Sequence, residues 1–405
     1  MRKNLTFLVC IALSFLINYL LYNSFLNDLI NDYYKNILII IGINIILGTS
    51  LNLITGFTGQ FSLGHAGFMA VGGYVSIAIS TYFAPFFRST FGEGFIGNSI
   101  TLVIVLLLGG IAAAIAGLLV GIPSLRLRGD YLAIITLGFS EIIRIVIQGL
   151  DVVGGAQGFS VVYIYENGAK SLQSIDSLTD MPFNVYQVPK LTNFFWTFFF
   201  AILTVYLIYN LVNSVYGKGF TAVKDDEIAA KAMGINTTKY KIIAFVTGAF
   251  FAGIAGGLLG HHTQTLIPED FNFLRSVEIV IMVILGGMGS IWGVVIAAVI
   301  LSILPELLRN PEISIVIIFS IPYLFAVYKI YRNFFRTRKY FKAIYFTAIS
   351  TIILAAALIF LMPVMITNIP NISTLRMIIY ALILIIMMLS RPQGLFTKKI
   401  IKAEI

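Results

Sequence analysis

One cysteine and three histidines in 405 residues leave little for disulfide or metal chemistry. Cys10 has no second thiol to pair with, and His65, His261 and His262 stand without nearby cysteines, which argues against a structural zinc site. Charge is scarce as well, at 11% of residues against roughly a quarter in a soluble domain. Acids are the scarcer sign, 18 against 27 basic residues. Within the long apolar stretches the carboxylates reduce essentially to Glu141 and Glu278, too few for a clustered acid, base or metal-ligand set of the kind an enzyme needs. A nucleotide-binding loop is missing too. The nearest candidate, Gly217-Lys218, has Val212 where the first glycine should stand and Gly219 where Ser or Thr should follow.

The chain is filled instead by apolar residues, 59% of the total. That excess is too large for one soluble core. It falls into runs close to the ~20 residues a helix needs to cross the hydrocarbon of a bilayer. The first half places spans at 5–25, 37–54, 61–84, 100–122, 131–147 and 194–212, and the second at 242–259, 277–285, 292–308, 313–328, 343–365 and 377–389. The chain is thus expected to be an all-α polytopic membrane protein, a single transmembrane unit over 1–405 with about 10–12 transmembrane helices. The 277–285 run is too short to cross alone and ends in Gly286-Gly287-Met288-Gly289, the mark of a broken or re-entrant helix. Positively charged residues before the first apolar run resemble a signal peptide, but no small-residue cleavage site follows, so an uncleaved first span is expected.

The formal charge of +9 would suggest nucleic acid on a soluble protein. Here the basic residues gather instead in alternate interruptions, around 2–3, 126–128, 218–241, 329–342 and 391–402. By the rule that cytoplasmic loops collect Lys and Arg, those segments and both termini are expected inside, with no call for nucleic acid. The interruption at 149–192, acidic in balance, becomes an external loop, and 216–241 an internal one.

Two polar interruptions carry chemistry. The segment Asp225-Asp-Glu-Ile-Ala-Ala-Lys-Ala-Met-Gly234 is too polar to span and reads as a short surface helix. Asp225, Asp226 and Glu227 are placed in its early turns, Ala229, Ala230 and Ala232 give it a smooth surface, and Gly234 supplies a left-handed turn at its end. Asn236 or Thr237 then caps the next helix. On spacing alone this is either an ordinary interfacial helix or a rigid element that fits a cleft on a partner. The second block, 55–73, mixes glycines, Gly64 among them, with Thr55, Thr58, Gln60, Ser62 and His65. Its glycines either serve helix packing or leave exposed amides that guide a carboxylate along a passage. Gly286, Gly287, Gly289 and Ser290 form a comparable Gly-rich break in the second half, a hint of an internal repeat. Glu141 and Arg144, at i and i+3 within one span, are expected to pair structurally with each other or with a neighbouring span. Arg275 and Glu278 repeat that spacing, and His261 and His262 are expected to be polar anchors near the outer interface.

The segment 225–236 resembles the coupling loop of ABC importer permeases of the branched-chain amino-acid (Liv) type. Three further blocks agree with the LivM-like subunit of that family, at 52–67, at 125–144 and at 286–293, as does Arg391-Pro-Gln-Gly-Leu-Phe396. The resemblance implies a type II-like importer permease fold, in the plasma (inner) membrane of a bacterium or archaeon. It also implies a homologous second permease, two cytoplasmic ATPase subunits that hold the ATP, and an external substrate-binding protein. Lys224, Asp225, Asp226, Glu227, Ala229, Ala230 and Gly234 would then couple to an ATPase, and Thr58, Gln60, Ser62, Gly64, His65, Gly286, Gly287, Gly289 and Ser290 are candidates for the pathway. No cofactor is implied for the chain itself. The cargo would be leucine, isoleucine and valine. The same machine carrying urea, an amide or another small solute is the alternative, and an ion-coupled secondary transporter is disfavoured by the scarcity of carboxylates in the spans. The family pattern is broken at 310–374, an inserted two-helix element around the basic stretch 329–342, for which contact with anionic membrane lipid is the simplest role.

Overall fold

The structure, a computed structural model, describes residues 2–23, 31–92, 94–124, 130–165, 168–169 and 183–307. The expected spans 313–328, 343–365 and 377–389, the inserted element 310–374 and the closing motif at 391–396 lie outside the described residues. The described residues up to 299 belong to one compact unit, and 52–73, 225–236 and 286–293 all lie within it.

The described residues are nearly all helical. α1 runs Arg2–Asn23, α2 Asp32–Asn52, α3 His65–Tyr82, α4 Ala84–Phe91, α5 Phe95–Ser124, α6 Asp130–Gln148, α7 Phe194–Val212, α8 Val215–Asp225, α9 Glu227–Ala232, α10 Thr237–Thr263, α11 Phe273–Gly286 and α12 Ile291–Leu307. Five are long and apolar enough to cross a membrane (α2 with its π-helical extension Leu53–Phe57, α5, α6, α7 and α10), and α3 with α4, bent by 66° at Phe83, makes a sixth when the pair is taken as one broken span. The protein is therefore a multi-pass membrane protein. α11, at 14 residues, is only ~21 Å long against a hydrocarbon core of ~30 Å, so it stops short as its Gly-rich end requires.

α2 with its extension and the helices α10, α3 and α5 form the centre. In the most apolar window of each, 83% of α2 and 67% of α10 is buried, against 28% for α6 and α7. Small residues allow that closeness. A Cβ on Gly72 would fall on the backbone of Gly253, and one on Gly256 would fall on the Met69 carbonyl, so α3 and α10 touch backbone to backbone. Gly109 and Gly117 bring α5 against Gly72 and Ala249 in the same way. In lipid, where apolar burial gives helices little reason to associate, such close van der Waals packing is the main cohesive force.

The segment 149–192 holds strand, which the hydropathy pattern alone did not foretell. β1 (Val161–Tyr165) pairs antiparallel with β2 (Gly168–Ala169) on one edge and β3 (Phe183–Gln187) on the other, Val161 opposite Gln187 and Tyr165 opposite Phe183. A backbone bridge between Phe159 and Leu266 ties this segment to the end of α10, and Tyr74 of α3 donates to the Leu266 carbonyl at 2.8 Å. Gln148 donates to Glu269 and Gln264 to the Val188 carbonyl. The described residues of 148–192 and those of 264–272 thus share one side of the helical layer.

Candidate functional site

The opposite side carries α8, α9 and the two breaks. α8 stops because Asp226 is extended (φ −156°, ψ 111°) and turns its carboxylate to the next helix, where Oδ1 accepts from Ile228 N at 2.8 Å and Ala229 N at 3.1 Å. Asp226 is an N-cap, and Asp225 ends the preceding helix. The expectation that both lie in the early turns of one helix is corrected by this cap: an extended Asp satisfies two orphan amides at once and splits the segment in two. Gly234, at φ +81°, ends α9 in a Schellman turn, with Ile235 N on the Ala230 carbonyl and Gly234 N on that of Lys231. Asn236 then caps α10 through Lys239 N.

Glu227 faces inward. Its Oε2 accepts from Lys241 Nζ at 2.8 Å, and Oε1 from Lys231 at 3.0 Å and from Thr237 Oγ1 at 3.4 Å. Burial on its own would raise the carboxyl pKa, but the hydrogen bonds from Lys241 and Lys231 outweigh it and hold the group at about 2. α9 is thereby pinned to α10. Ala230 is buried, so only Ala229 and Ala232 contribute to a smooth outer face. That face also presents Ile228 and Met233, 66% and 83% exposed. Neither stands among the residues singled out from sequence, although an apolar pair inside a charged segment is a visible signal.

The breaks meet. α2 widens into the π-turn, Gly59 adopts φ +70°, and 58–64 runs non-helical before α3 starts at His65, so 61–64 falls outside the helix that was expected to begin at 61. Thr136 of α6 accepts from Leu63 N, and Ser276 of α11 from Ala66 N, which satisfies amides the break exposes. Gly64 lies against the Thr136 carbonyl. At the second break Gly287 (φ +101°) and Gly289 (φ +90°) turn the chain, Gly286 packs on Val294, and Ser290 caps α12 by accepting from Gly293 N. Asn52 Oδ1 accepts from Gly289 N at 2.9 Å, and a Cβ on Gly56 would strike that same amide. Residues 237 positions apart are joined there.

Buried polar atoms without a hydrogen-bond partner among the described residues concentrate in this first break: Asn52 Nδ2, Thr55 Oγ1, both amide atoms of Gln60 and His65 Nδ1. The other side of the His65 ring is 2.8 Å from Ser50 Oγ. Thr58 spends its hydroxyl on the Ile54 carbonyl, and Ser62 accepts weakly from Gly64 N. A stranded polar group costs free energy unless water or a solute reaches it, so this cluster is where a polar guest gains most. Asn52, central to the junction, is not among the residues singled out from sequence.

The remaining residues lie elsewhere. Arg144 Nε donates to Glu141 Oε2 at 2.7 Å on α6, away from the junction. Arg275 bridges Glu278 and Asn44. His261 is fully buried, its Nδ1 on the Gly257 carbonyl and its Nε2 2.9 Å from Ser80 Oγ, so it joins α10 to α3 where an interfacial anchor was expected.

Residues 33–321 match the family described as branched-chain amino acid transport system / permease component. The high-affinity branched-chain amino acid transport system permease protein LivM of Salmonella typhimurium is 35% identical over 220 residues, 50% of each chain. The probable LivM permease of Methanocaldococcus jannaschii is 28% identical over 271 residues, 63% of this chain and 74% of that one. The high-affinity branched-chain amino acid transport system permease protein LivH of Escherichia coli is 34% identical over 101 residues, 25% of this chain and 31% of that one. The chain spans about half the length of the first of these relatives. No solved structure matches.

Proposed function

The chain belongs to the branched-chain amino acid transport permease family, and on that premise we propose that it is one of two permeases of an ABC importer that moves leucine, isoleucine and valine into the cytoplasm. The observation that carries this reading is the unit α8–α9: capped at both ends, clamped to α10 through Glu227 and Lys241, and presenting Ile228 and Met233 outward. Such a rigid body with an apolar tip fits a cleft on an ATPase subunit and passes its displacement directly to a span. ATP is then held and hydrolysed by those subunits, with no nucleotide site on this chain. The likeness to both LivM and LivH supports a similar but distinct second permease as partner, and an external binding protein delivers the cargo. The membrane is the plasma (inner) membrane of a bacterium or archaeon.

The basic residues of 218–241 support a cytoplasmic place for the α8–α9 side, and those at 2–3 and 391–402 support the same for the termini. On a Cys10→Ser background, Met233→Cys should resist an impermeant thiol reagent in intact cells and Val152→Cys should react. The reverse pattern overturns the orientation. Docking is tested by Ile228→Asp with Met233→Asp. The double variant should insert in normal amount yet fail to retain the ATPase on purification, the loss expected when hot-spot anchors of about 2 kcal/mol or more each are removed. Retention equal to the unsubstituted complex removes α9 from the interface.

A further inference from the structure

The family resemblance groups Lys224 with the residues that meet the ATPase, and the residue is exposed, but its ammonium reaches back to the backbone of the first break. From the last turn of α8, Nζ donates to the Gly56 carbonyl at 2.6 Å. Its stem lies across Gly59, where a Cβ would come within 3.3 Å of Cγ, and its ammonium stands 3.5 Å from the Cβ position of Gly289. One cation therefore sits over the seam between the two breaks. Past the π-turn Gln60 N returns to the Ile54 carbonyl, and the Gly56 carbonyl takes the ammonium. The same break holds the Asn52, Thr55, Gln60 and His65 atoms that lack a partner among the described residues.

We propose that Lys224 is a positioning residue that holds the inner end of the passage shut, its ammonium bolting α8 to the Gly56 carbonyl. A displacement of α8 by the ATPase withdraws the ammonium, frees the seam between Gly56 and Gly289, and lets water and then cargo reach the stranded polar groups. The closed seam is kept from being too stable by those same groups, which regain hydrogen bonds only when it opens. Among the described residues, one charge-assisted hydrogen bond thus joins the coupling segment to the passage, beside the packing of the Lys224 stem on Gly59. This role rests on the proposed function, in which the break lines the pathway and α8 and α9 respond to an ATPase.

The test follows accessibility. On a Cys10→Ser background with Ser62→Cys as reporter, the assembled complex in inside-out vesicles is exposed to an impermeant maleimide without nucleotide, with Val152→Cys as a control on the far side. Lys224→Met should speed labelling at position 62 by about tenfold, the scale of one charge-assisted hydrogen bond, and Lys224→Arg, which keeps a donor, should restore slow labelling. A merely structural lysine would lower the amount of inserted protein without changing the labelling rate per inserted molecule. Should Lys224→Met not insert, Lys224→Gln replaces it. Labelling within twofold of the unsubstituted lysine overturns the proposal. If the Lys224 variants open the seam while ATP with loaded binding protein does not, the bolt stands and the ATPase reading fails. If ATP opens it and the variants do not, the converse holds.

Discussion

Replacing Gly256 with leucine is expected to leave essentially no folded protein in the membrane. The first carbon of any side chain at this position would overlie the Met69 carbonyl, with Gly73 N only 2.9 Å away. Both are backbone atoms of α3 and have no rotamer to yield. Overpacking a core by side-chain displacement costs about 1–3 kcal/mol. Here the whole of α3 must leave α10, and with it go the Gly72–Gly253 contact and the Gly109 contact of α5, which share the same close approach. Against a total stability of about 5–15 kcal/mol, that is enough to unfold the centre. Gly138→Leu is the matched control, because nothing stands within 4 Å of a Cβ there. Detergent extraction followed by size exclusion should show a monodisperse peak for Gly138→Leu and none for Gly256→Leu. A normal peak for both would mean that α3 and α10 are not packed backbone to backbone.

Helix positions were legible because a span declares itself locally: about 18 or more apolar residues with charged flanks fix its place whatever it packs on, and 37–54, 100–122, 131–147, 194–212 and 242–259 all fall within helices. The broken end at 286–289 was legible for the same reason, since glycines at three of four positions signal a turn wherever they occur. The β-sheet was not. Val161–Tyr165 reads Val-Val-Tyr-Ile-Tyr, a strong strand signal, but its main partner stands beyond an intervening stretch of chain and pairing of that kind leaves no local period. Asp225 and Asp226 look alike in sequence, and only the backbone angles of Asp226 decide which of them caps. The junction was least legible. That Asn52 and Lys224 both reach the breaks depends on contacts between residues 237 and 168 positions apart, which no spacing rule contains. The glycines were visible, and their neighbours across the seam were not.

On the proposed function, in which α9 docks on an ATPase subunit, reversing the charge at Glu227 should uncouple hydrolysis from transport while leaving the spans in place. In the native segment this carboxylate holds Lys231 and Lys241 at 3.0 and 2.8 Å, and the Lys241 side chain is only 8% exposed. Glu227→Lys would gather three ammonium groups and strand Lys241 as a buried, unpaired cation, at a cost of about 3–5 kcal/mol. α9 must then swing away from α10, although Asp226 and Gly234 still form it. Since the segment itself lies outside the apolar spans, membrane insertion should be normal. Hydrolysis of ATP stimulated by the loaded binding protein should fall at least about tenfold, because displacement of α9 no longer reaches α10. Glu227→Gln, which keeps the acceptor and loses the charge, should fall less, and Glu227→Lys with Lys241→Glu should recover part of the loss by restoring the pair in reverse. Acidity gives an independent check. A carboxyl held at about 2 in the folded protein, below its ordinary 4.5, contributes its full stabilisation above the unfolded value and loses it as the pH falls through about 2. Above about pH 5 the Glu227 carboxylate should therefore add no pH dependence to coupling. Stimulated hydrolysis that survives Glu227→Lys within twofold would show that α9 transmits force by a route other than the Glu227–Lys241 clamp.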